Sequence, residues 1–234
     1  MVMEMAHRSA RGAAALLAVI ASLSACSNEK QESFEDIIKD HVPSPRAAPT
    51  APVADSMGDP NACAHFDGQL LDVPARGAAE PRLRIPQTEG WDRSTKLDSE
   101  VIRFVLANSD LVANQFAPNI VVALEDTTKA DVQTIFTQQH ANLVKLAGAQ
   151  NLASEPATVC GLPAETITFT AAPTGAGANS REVTILSVPT IVGGHQYLVT
   201  ATVQTTDPDN PTYQHDAKTL LDGFQVLPPE PGAP

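Results

Sequence analysis

The stretch that decides the fold is REVTILSVPTIVGGHQYLVTATVQ, residues 181–204. Two runs rich in β-branched residues flank Gly193 and Gly194, and a glycine pair between such runs is typical of a tight β-hairpin. A two-residue turn fixes the pairing, so the numbers of facing residues sum to 193 + 194, or 387. The sequence therefore predicts a long antiparallel hairpin with a defined register.

That register sorts the side chains onto two faces of the hairpin, because successive residues of a strand point to opposite sides. The more apolar face carries Leu186, Val188 and Val192 opposite Ala201, Val199 and His195. The other face carries Ser187 and Ile191 opposite Thr200 and Gln196. Pro189 cannot donate a backbone hydrogen bond, so the first strand is predicted to be bulged or at a sheet edge there.

The segments around the hairpin supply further strands and two helices. Alternating or apolar runs predict strands at RLRIP (82–86), EVIRFVLAN (100–108), NIVVALED (119–126), ATVC (157–160) and AETITFTA (164–171). A helical period from about 129 to 147 ends at Gly148, and a second helix begins with Asn210 as N-cap and Pro211 as first residue. We therefore predict an α+β fold, an antiparallel sheet with helices packed on it.

The N-terminus has the features of a signal peptide. Arg8 and Arg11 precede a short apolar run, which ends in the small-residue stretch before Cys26. Residues 23–26, Leu-Ser-Ala-Cys, look like a bacterial lipobox. That resemblance implies cleavage after Ala25 and acylation of Cys26 on its thiol and its new amine, with an ordinary secretory signal as the alternative. Two or more acyl chains would hold the protein on the outer face of the cell membrane, with partial shedding from it as a further expectation.

Composition then divides the mature chain. Residues 26–60 are predicted to be a disordered tether, since 43–60 are rich in Pro and Ala; 61–228 form one domain, and 229–234 a disordered tail. Removal of residues 1–25 takes away two arginines and one glutamate, so the net charge changes from −12 to −13 (13 basic, 26 acidic). This acidity excludes nucleic acid as a partner and disfavours charge-driven binding to anionic lipids.

The two remaining cysteines are predicted to form a disulfide. Cys63 and Cys160 are an even pair in an oxidising compartment once Cys26 carries lipid. A metal site is a poor alternative, because neither His65 nor His195 has ligand spacing to them.

The order of these features resembles one family. Ile85-Pro86, Gly90-Trp91 and a late hairpin that leads to a helix ending in Gly-Phe-Gln-Val are similar to the LpqN/LpqT lipoprotein family of mycobacteria, over residues 81–227. The resemblance implies a PsbP-like α/β sandwich in the cell envelope that binds glycolipids or partner proteins, with no established catalytic residues. The family usually has Pro-Gly-Trp where this chain has Glu89-Gly90-Trp91.

The sequence favours a binding function over catalysis. It holds neither Gly-x-Ser-x-Gly nor His-Glu-x-x-His, and no nucleotide-binding fingerprint, so we expect no enzyme activity and no cofactor. Tyr197, His195 and Trp91 are the candidate ligand residues, at the mouth of an apolar pocket between the sheet and the helix around Phe136; alternatively they are ordinary residues at the core margin. An apolar cavity would favour a lipid or glycolipid ligand. A filled core would favour a module for an envelope or host protein.

Overall fold

The computed structural model describes residues 55–173 and 178–230. The strands are β1 (Leu70–Val73), β2 (Arg82–Pro86), β3 (Trp91–Arg93), β4 (Ile102–Asn108), β5 (Asn119–Thr127), β6 (Gln150–Val159), β7 (Leu162–Ala171), β8 (Arg181–Val192), β9 (His195–Thr205) and β10 (Gln225–Leu227). The helices are α1 (Val132–Ala147), between β5 and β6, and α2 (Pro211–Asp222), between β9 and β10. The predicted α+β class is confirmed. None of the described helices is long and apolar enough to cross a membrane.

A seven-stranded antiparallel sheet is the centre of the fold. Its strand order is β3-β4-β5-β9-β8-β7-β6, and β1, β2 and β10 form a second, three-stranded sheet. The β8–β9 hairpin has the predicted register: Val192 pairs with His195 and Val188 with Val199. The turn works because Gly193 and Gly194 take φ angles of 56° and 76°, where glycine avoids the strain of a side chain.

Pro189 lies in the part of β8 that extends beyond its pairing with β7. β7 pairs with β8 from Arg181 to Ser187, and Pro189 comes after the last of these pairs. Beyond it Ile191 forms an isolated bridge with Ser56 instead. Of the two predicted alternatives, an edge or a bulge, the structure shows a local edge: β8 lies inside the sheet, but at Pro189 it has no paired strand on its outer side.

The two faces of the large sheet have different covers. On the face of Val188 and Val199, helix α2 and the small sheet complete the main core, to which α2 contributes Tyr213, Ala217 and Leu220. On the opposite face, Leu143 of α1 packs with residues of β7 and β8. The sheet is thus sandwiched between α1 and the layer formed by α2 and the small sheet.

Both helices begin and end where capping chemistry allows. Asn210 accepts hydrogen bonds from the backbone N–H groups of Thr212 and Tyr213 at 3.0 and 3.2 Å, as its predicted N-cap role requires. Helix α1 starts three residues later than the predicted 129, because Asp131 caps it through the N–H of Thr134. Gly148 ends α1 in the left-handed conformation.

The predicted disulfide is present. Cys63 and Cys160 are joined with an S–S distance of 2.06 Å across 97 residues. Residues 55–60, which the sequence assigns to the tether, also contact the domain, since Ser56 and Ile191 exchange two backbone hydrogen bonds of 3.0 and 2.9 Å. Residues 55–60 are therefore attached to the domain rather than separate from it.

Candidate functional site

A recess of about 400 Å³ opens at one end of the large sheet. It lies where β4 begins, β5 ends and β9 begins, and the chain between β1 and β2 closes one side of it. Leu124, Val101 and Tyr197 contribute to its wall. The rest of the lining is charged: Arg76, Glu80, Glu100, Arg103, Glu125 and Asp126. The recess therefore presents charged groups beside an apolar wall, a mixed surface that suits a ligand with a polar group.

An ion pair shapes the recess. Arg103 donates through its two terminal nitrogens to the two carboxylate oxygens of Glu80, at 3.0 and 2.8 Å. Only 8% and 14% of the two side chains are exposed. Glu80 also accepts a hydrogen bond from the backbone N–H of Arg76 at 2.9 Å. Because a two-pronged contact fixes orientation as well as distance, it ties the β1–β2 connection to the start of β4.

Arg103 reaches this position because of an irregularity in β4. The pairing with β5 shifts between Ile102 and Phe104, which leaves Arg103 as the extra residue. A bulge of this kind re-aims a side chain and is common beside binding sites. The strand pattern alone does not reveal it, since EVIRFVLAN reads as a regular run.

Tyr197 forms another wall of the recess. It pairs with Asp126 across β9 and β5, so the two side chains share one face of the sheet. Burial is the main cause that raises the pKa of Tyr197, and the negative charges of Asp126 and Glu80 add to it. Its hydroxyl therefore stays protonated at neutral pH and can both donate and accept a hydrogen bond.

The other two candidate ligand residues are not together in the recess. His195 stands at the exposed rim, with Nδ1 3.7 Å from the carboxylate of Asp126 and its ring centroid 6.4 Å from that of Tyr197. Trp91 is 1% exposed and belongs to the main core. Its indole N–H donates to the carboxylate of Asp216 at 2.9 Å, so its polar atom is satisfied inside the protein.

Phe136 does not share a pocket with Tyr197, contrary to the expectation from sequence. It lies on α1 one turn before Gln139, and Gln139 contacts Ser187 on the opposite face of the sheet. The amphipathic pattern of a helix shows which side is buried but not which face of a sheet it covers. Phe136 on α1 and Tyr197 on β9 lie on opposite faces of the sheet and therefore cannot enclose one ligand.

Glu125 is a buried acid that the sequence does not single out. It borders the recess, but it pairs with Leu198, so alternation directs its side chain to the face of the sheet opposite Tyr197. Burial raises its pKa from 4.5 to about 7. A carboxyl group that titrates near neutral pH is a signal that only the tertiary structure provides.

Two further points from the sequence are the predicted acylation and the metal site that it disfavours. Cys26, the predicted acylation site, lies outside the described residues. Within residues 55–173 and 178–230, no group of three or more His, Cys, Asp or Glu side chains is arranged to hold a metal ion.

Comparison with known proteins identifies the family. A family described as probable lipoprotein LpqN matches residues 69–227. Among solved structures, LpqN of Mycobacterium tuberculosis is similar with a TM-score of 0.56 at 18% identity, covering 68% of this chain and 91% of that one. PsbP of the cyanobacterium Synechocystis has a TM-score of 0.46 at 14% identity, covering 69% and 95%. No curated protein matches the chain. Since the family match extends over more than half of the residues, the chain belongs to the LpqN family of probable lipoproteins.

Proposed function

We propose that the protein is a non-catalytic lipoprotein of the cell envelope, which binds the sugar-bearing headgroup of a glycolipid in the recess beside Tyr197. The observation that carries this proposal is the set of guanidinium, carboxylate and hydroxyl groups in the lining of the recess, which include those of Arg76, Arg103, Asp126 and Tyr197. Such groups supply the donors and acceptors that sugar hydroxyls need. The volume of about 400 Å³ lies in the range of small-molecule sites.

The same lining argues against an enclosed acyl chain. Ionised side chains placed against hydrocarbon lose their hydration without compensation, which is costly. Even without Glu125, whose side chain points to the other face of the sheet, the three carboxylates of Glu80, Glu100 and Asp126 outnumber the two arginines, so the recess disfavours an anionic headgroup. A neutral sugar is not repelled by the carboxylates, and its hydroxyl groups can bind the ionised side chains. The hydrocarbon tail of the glycolipid would remain outside the recess.

The envelope location is supported by the family and by the N-terminus. LpqN of M. tuberculosis is a protein involved in cell envelope biogenesis. In this chain the lipobox-like Leu23–Cys26 segment supplies the anchor, which we place on the outer face of the membrane. Replacement Cys26→Ala should abolish labelling with a fatty-acid probe and release the protein from the membrane fraction.

Binding is tested with three soluble probes on the isolated domain: a short-chain alkyl glucoside below its micelle concentration, the free sugar and a fatty acid of equal chain length. We expect the glucoside and the sugar to shift backbone amide resonances around Tyr197, whereas the fatty acid should leave them unchanged. Tyr197→Ala should weaken glucoside binding about 5- to 150-fold, the loss of one buried aromatic contact of roughly 1–3 kcal/mol. Val144→Ala, on the exposed face of α1, is the control.

Circular dichroism must show that both variants are folded. Two results would contradict the assignment of the recess. One is that the fatty acid binds and neither the glucoside nor the sugar does, and the other is that Tyr197→Ala binds the glucoside as tightly as the parent.

A protein-interaction function is the second candidate, and the exposed edge of the large sheet favours it. β6 (Gln150–Val159) is the last strand of that sheet, and most of its side chains are exposed. An edge strand can pair with an extended segment of a partner. Pro156 interrupts the edge, however, which is a common device against such pairing. This candidate takes precedence if none of the three probes binds.

A further inference from the structure

The chain that enters the domain from the tether is fastened to the hairpin turn. We call residues 55–59 the N-terminal strap. The carboxylate of Asp55 accepts hydrogen bonds from the backbone N–H groups of Gly193 and Gly194, at 3.3 and 3.0 Å. Ser56 then pairs with Ile191, and its carbonyl accepts a further bond of 2.6 Å from the hydroxyl of Thr190. The strap thus continues the β8 edge beyond the end of β7.

The rest of the strap is held just as closely. Gly58 is buried, and a Cβ atom added to it would lie 1.9 Å from the carbonyl oxygen of Val226. The backbone N–H of Asp59 donates to the carbonyl of Cys160 at 2.7 Å, and the disulfide from Cys63 to Cys160 follows. The path of the chain from residue 55 to residue 63 is therefore set by the domain.

All these attachments lie at the end of the sheet that bears the recess. The hairpin turn precedes β9 directly, and Tyr197 is the third residue of that strand. The turn between β6 and β7, which carries Cys160, is at the same end, because β6, β7, β8 and β9 pair as consecutive antiparallel neighbours. The 11 residues of β9 place the opposite end of the sheet about 35 Å away.

We infer that the recess-bearing end of the domain faces the membrane, so that the recess takes its occupant from the layer of lipid headgroups that carries the anchor. This inference rests on the proposed acylation of Cys26 and the proposed role of the recess. Cys26 and Asp55 are 29 residues apart; the chain between them lies outside the described residues, and its composition predicts a flexible tether, for which that length gives a mean span of about 30 Å. The attached end cannot move farther from the anchor than the tether reaches, whereas the opposite end can lie about 35 Å beyond it, so the attached end lies nearer the bilayer on average.

Attachment rather than charge sets this orientation. A mature chain with a net charge of −13 is not drawn onto an anionic surface, so no opposing electrostatic contact turns the domain over. The strap also brings Asp55 to the turn, which adds a carboxylate at this end. A neutral headgroup is therefore the occupant that both the recess and its surroundings favour.

The test uses the full acylated chain in vesicles of neutral phosphatidylcholine that contain an acceptor-labelled lipid. A donor dye is attached to one introduced cysteine, at Thr128→Cys beside the recess end or at Asp209→Cys at the opposite end, both exposed. We expect energy transfer from position 128 to be at least twice as efficient as from position 209. A second pair, Lys129→Cys and Glu89→Cys, should give the same order, and Cys26→Ala should give no transfer.

The readout needs no ligand, so it separates this inference from the proposed function. More efficient transfer from position 128 than from position 209, without sugar binding, would support the orientation and reject only the proposed function of the recess. Equal transfer from the two ends, the reverse order, or no transfer from the acylated chain overturns the inference.

Discussion

Replacement of Glu125 by glutamine should stabilise the protein at neutral and alkaline pH, but not at pH 4.5. Glu125 lies on β5 with 7% of its surface exposed, on the sheet face opposite Tyr197. Burial removes water from the carboxylate and raises its pKa from 4.5 to about 7. Glutamine has nearly the same shape and carries no charge, so the variant keeps the packing and removes the cost of ionisation.

The size of the effect follows from the pKa difference. A rise from 4.5 to about 7 is about 2.5 pH units, which corresponds to about 3 kcal/mol as an upper value. Between these two pH values the unfolded chain loses its proton while the folded protein keeps it. The folded state then binds more protons, so the free energy of unfolding falls as pH rises through this range. Above about pH 7 the penalty is complete, and below pH 4.5 it is absent.

Urea unfolding followed by circular dichroism at pH 8 and at pH 4.5 measures this effect. At pH 8 we expect Glu125→Gln to raise the free energy of unfolding by about 1–3 kcal/mol. At pH 4.5 the variant and the parent should differ by less than about 0.5 kcal/mol. Glu155→Gln, on the exposed edge strand β6, is the matched control and should change little at either pH. An equal gain at both pH values, or no gain at pH 8, would refute the assignment of a buried, costly carboxylate.

Two further predictions concern the N-terminal strap and the disulfide. Gly58→Ala should lower the free energy of unfolding by more than about 2 kcal/mol, because its Cβ would collide with the Val226 carbonyl, whereas Gly77→Ala has room and should be nearly neutral. Equal thermal unfolding of these two variants would show that the strap is not packed as described. Replacement of both Cys63 and Cys160 by alanine should cost about 4–5 kcal/mol in the chain-entropy treatment of a 97-residue separation, and unchanged urea stability would reject a structural role for the bond.

The hairpin can be predicted in detail because its signal is local. A glycine pair between β-branched runs fixes the turn, and the turn fixes every later pair, from Val192–His195 onward. Helix α2 is similarly accessible, since Asn210 and Pro211 mark its start by their own chemistry. These elements depend on residues only a few positions apart.

Contacts between distant segments cannot be predicted in this way. Strand β6 begins at Gln150, seven residues before the predicted 157, because its exposed, polar side chains show no apolar alternation. Gln139 is buried on α1 because Ser187 donates a hydrogen bond to it at 2.6 Å, and no helical pattern anticipates a polar residue there. Both features are set by partners elsewhere in the chain.

Composition is misleading at the boundary of the domain for a related reason. Residues 55–60 contain Asp, Ser, Met, Gly and Pro, which are typical of a loop, and their few apolar atoms predict no core. They are held instead by backbone hydrogen bonds and by the close approach that Gly58 permits. Such contacts require no hydrophobic side chains, so hydropathy cannot detect them.

The sequence identifies Tyr197 but not the polarity of its surroundings, because segments distant in the chain supply them. The hairpin register places Tyr197 on the apolar face, and an apolar face suggests an apolar pocket. The lining, however, comes from a bulge at Arg103 and from the β1–β2 connection with Glu80, which the ion pair joins across 23 residues. Because one buried ion pair replaces an apolar wall by charges, the chemistry of the ligand depends on a loop that has no pattern of its own. A test of the recess should therefore vary the polarity of the ligand before the length of its hydrocarbon chain.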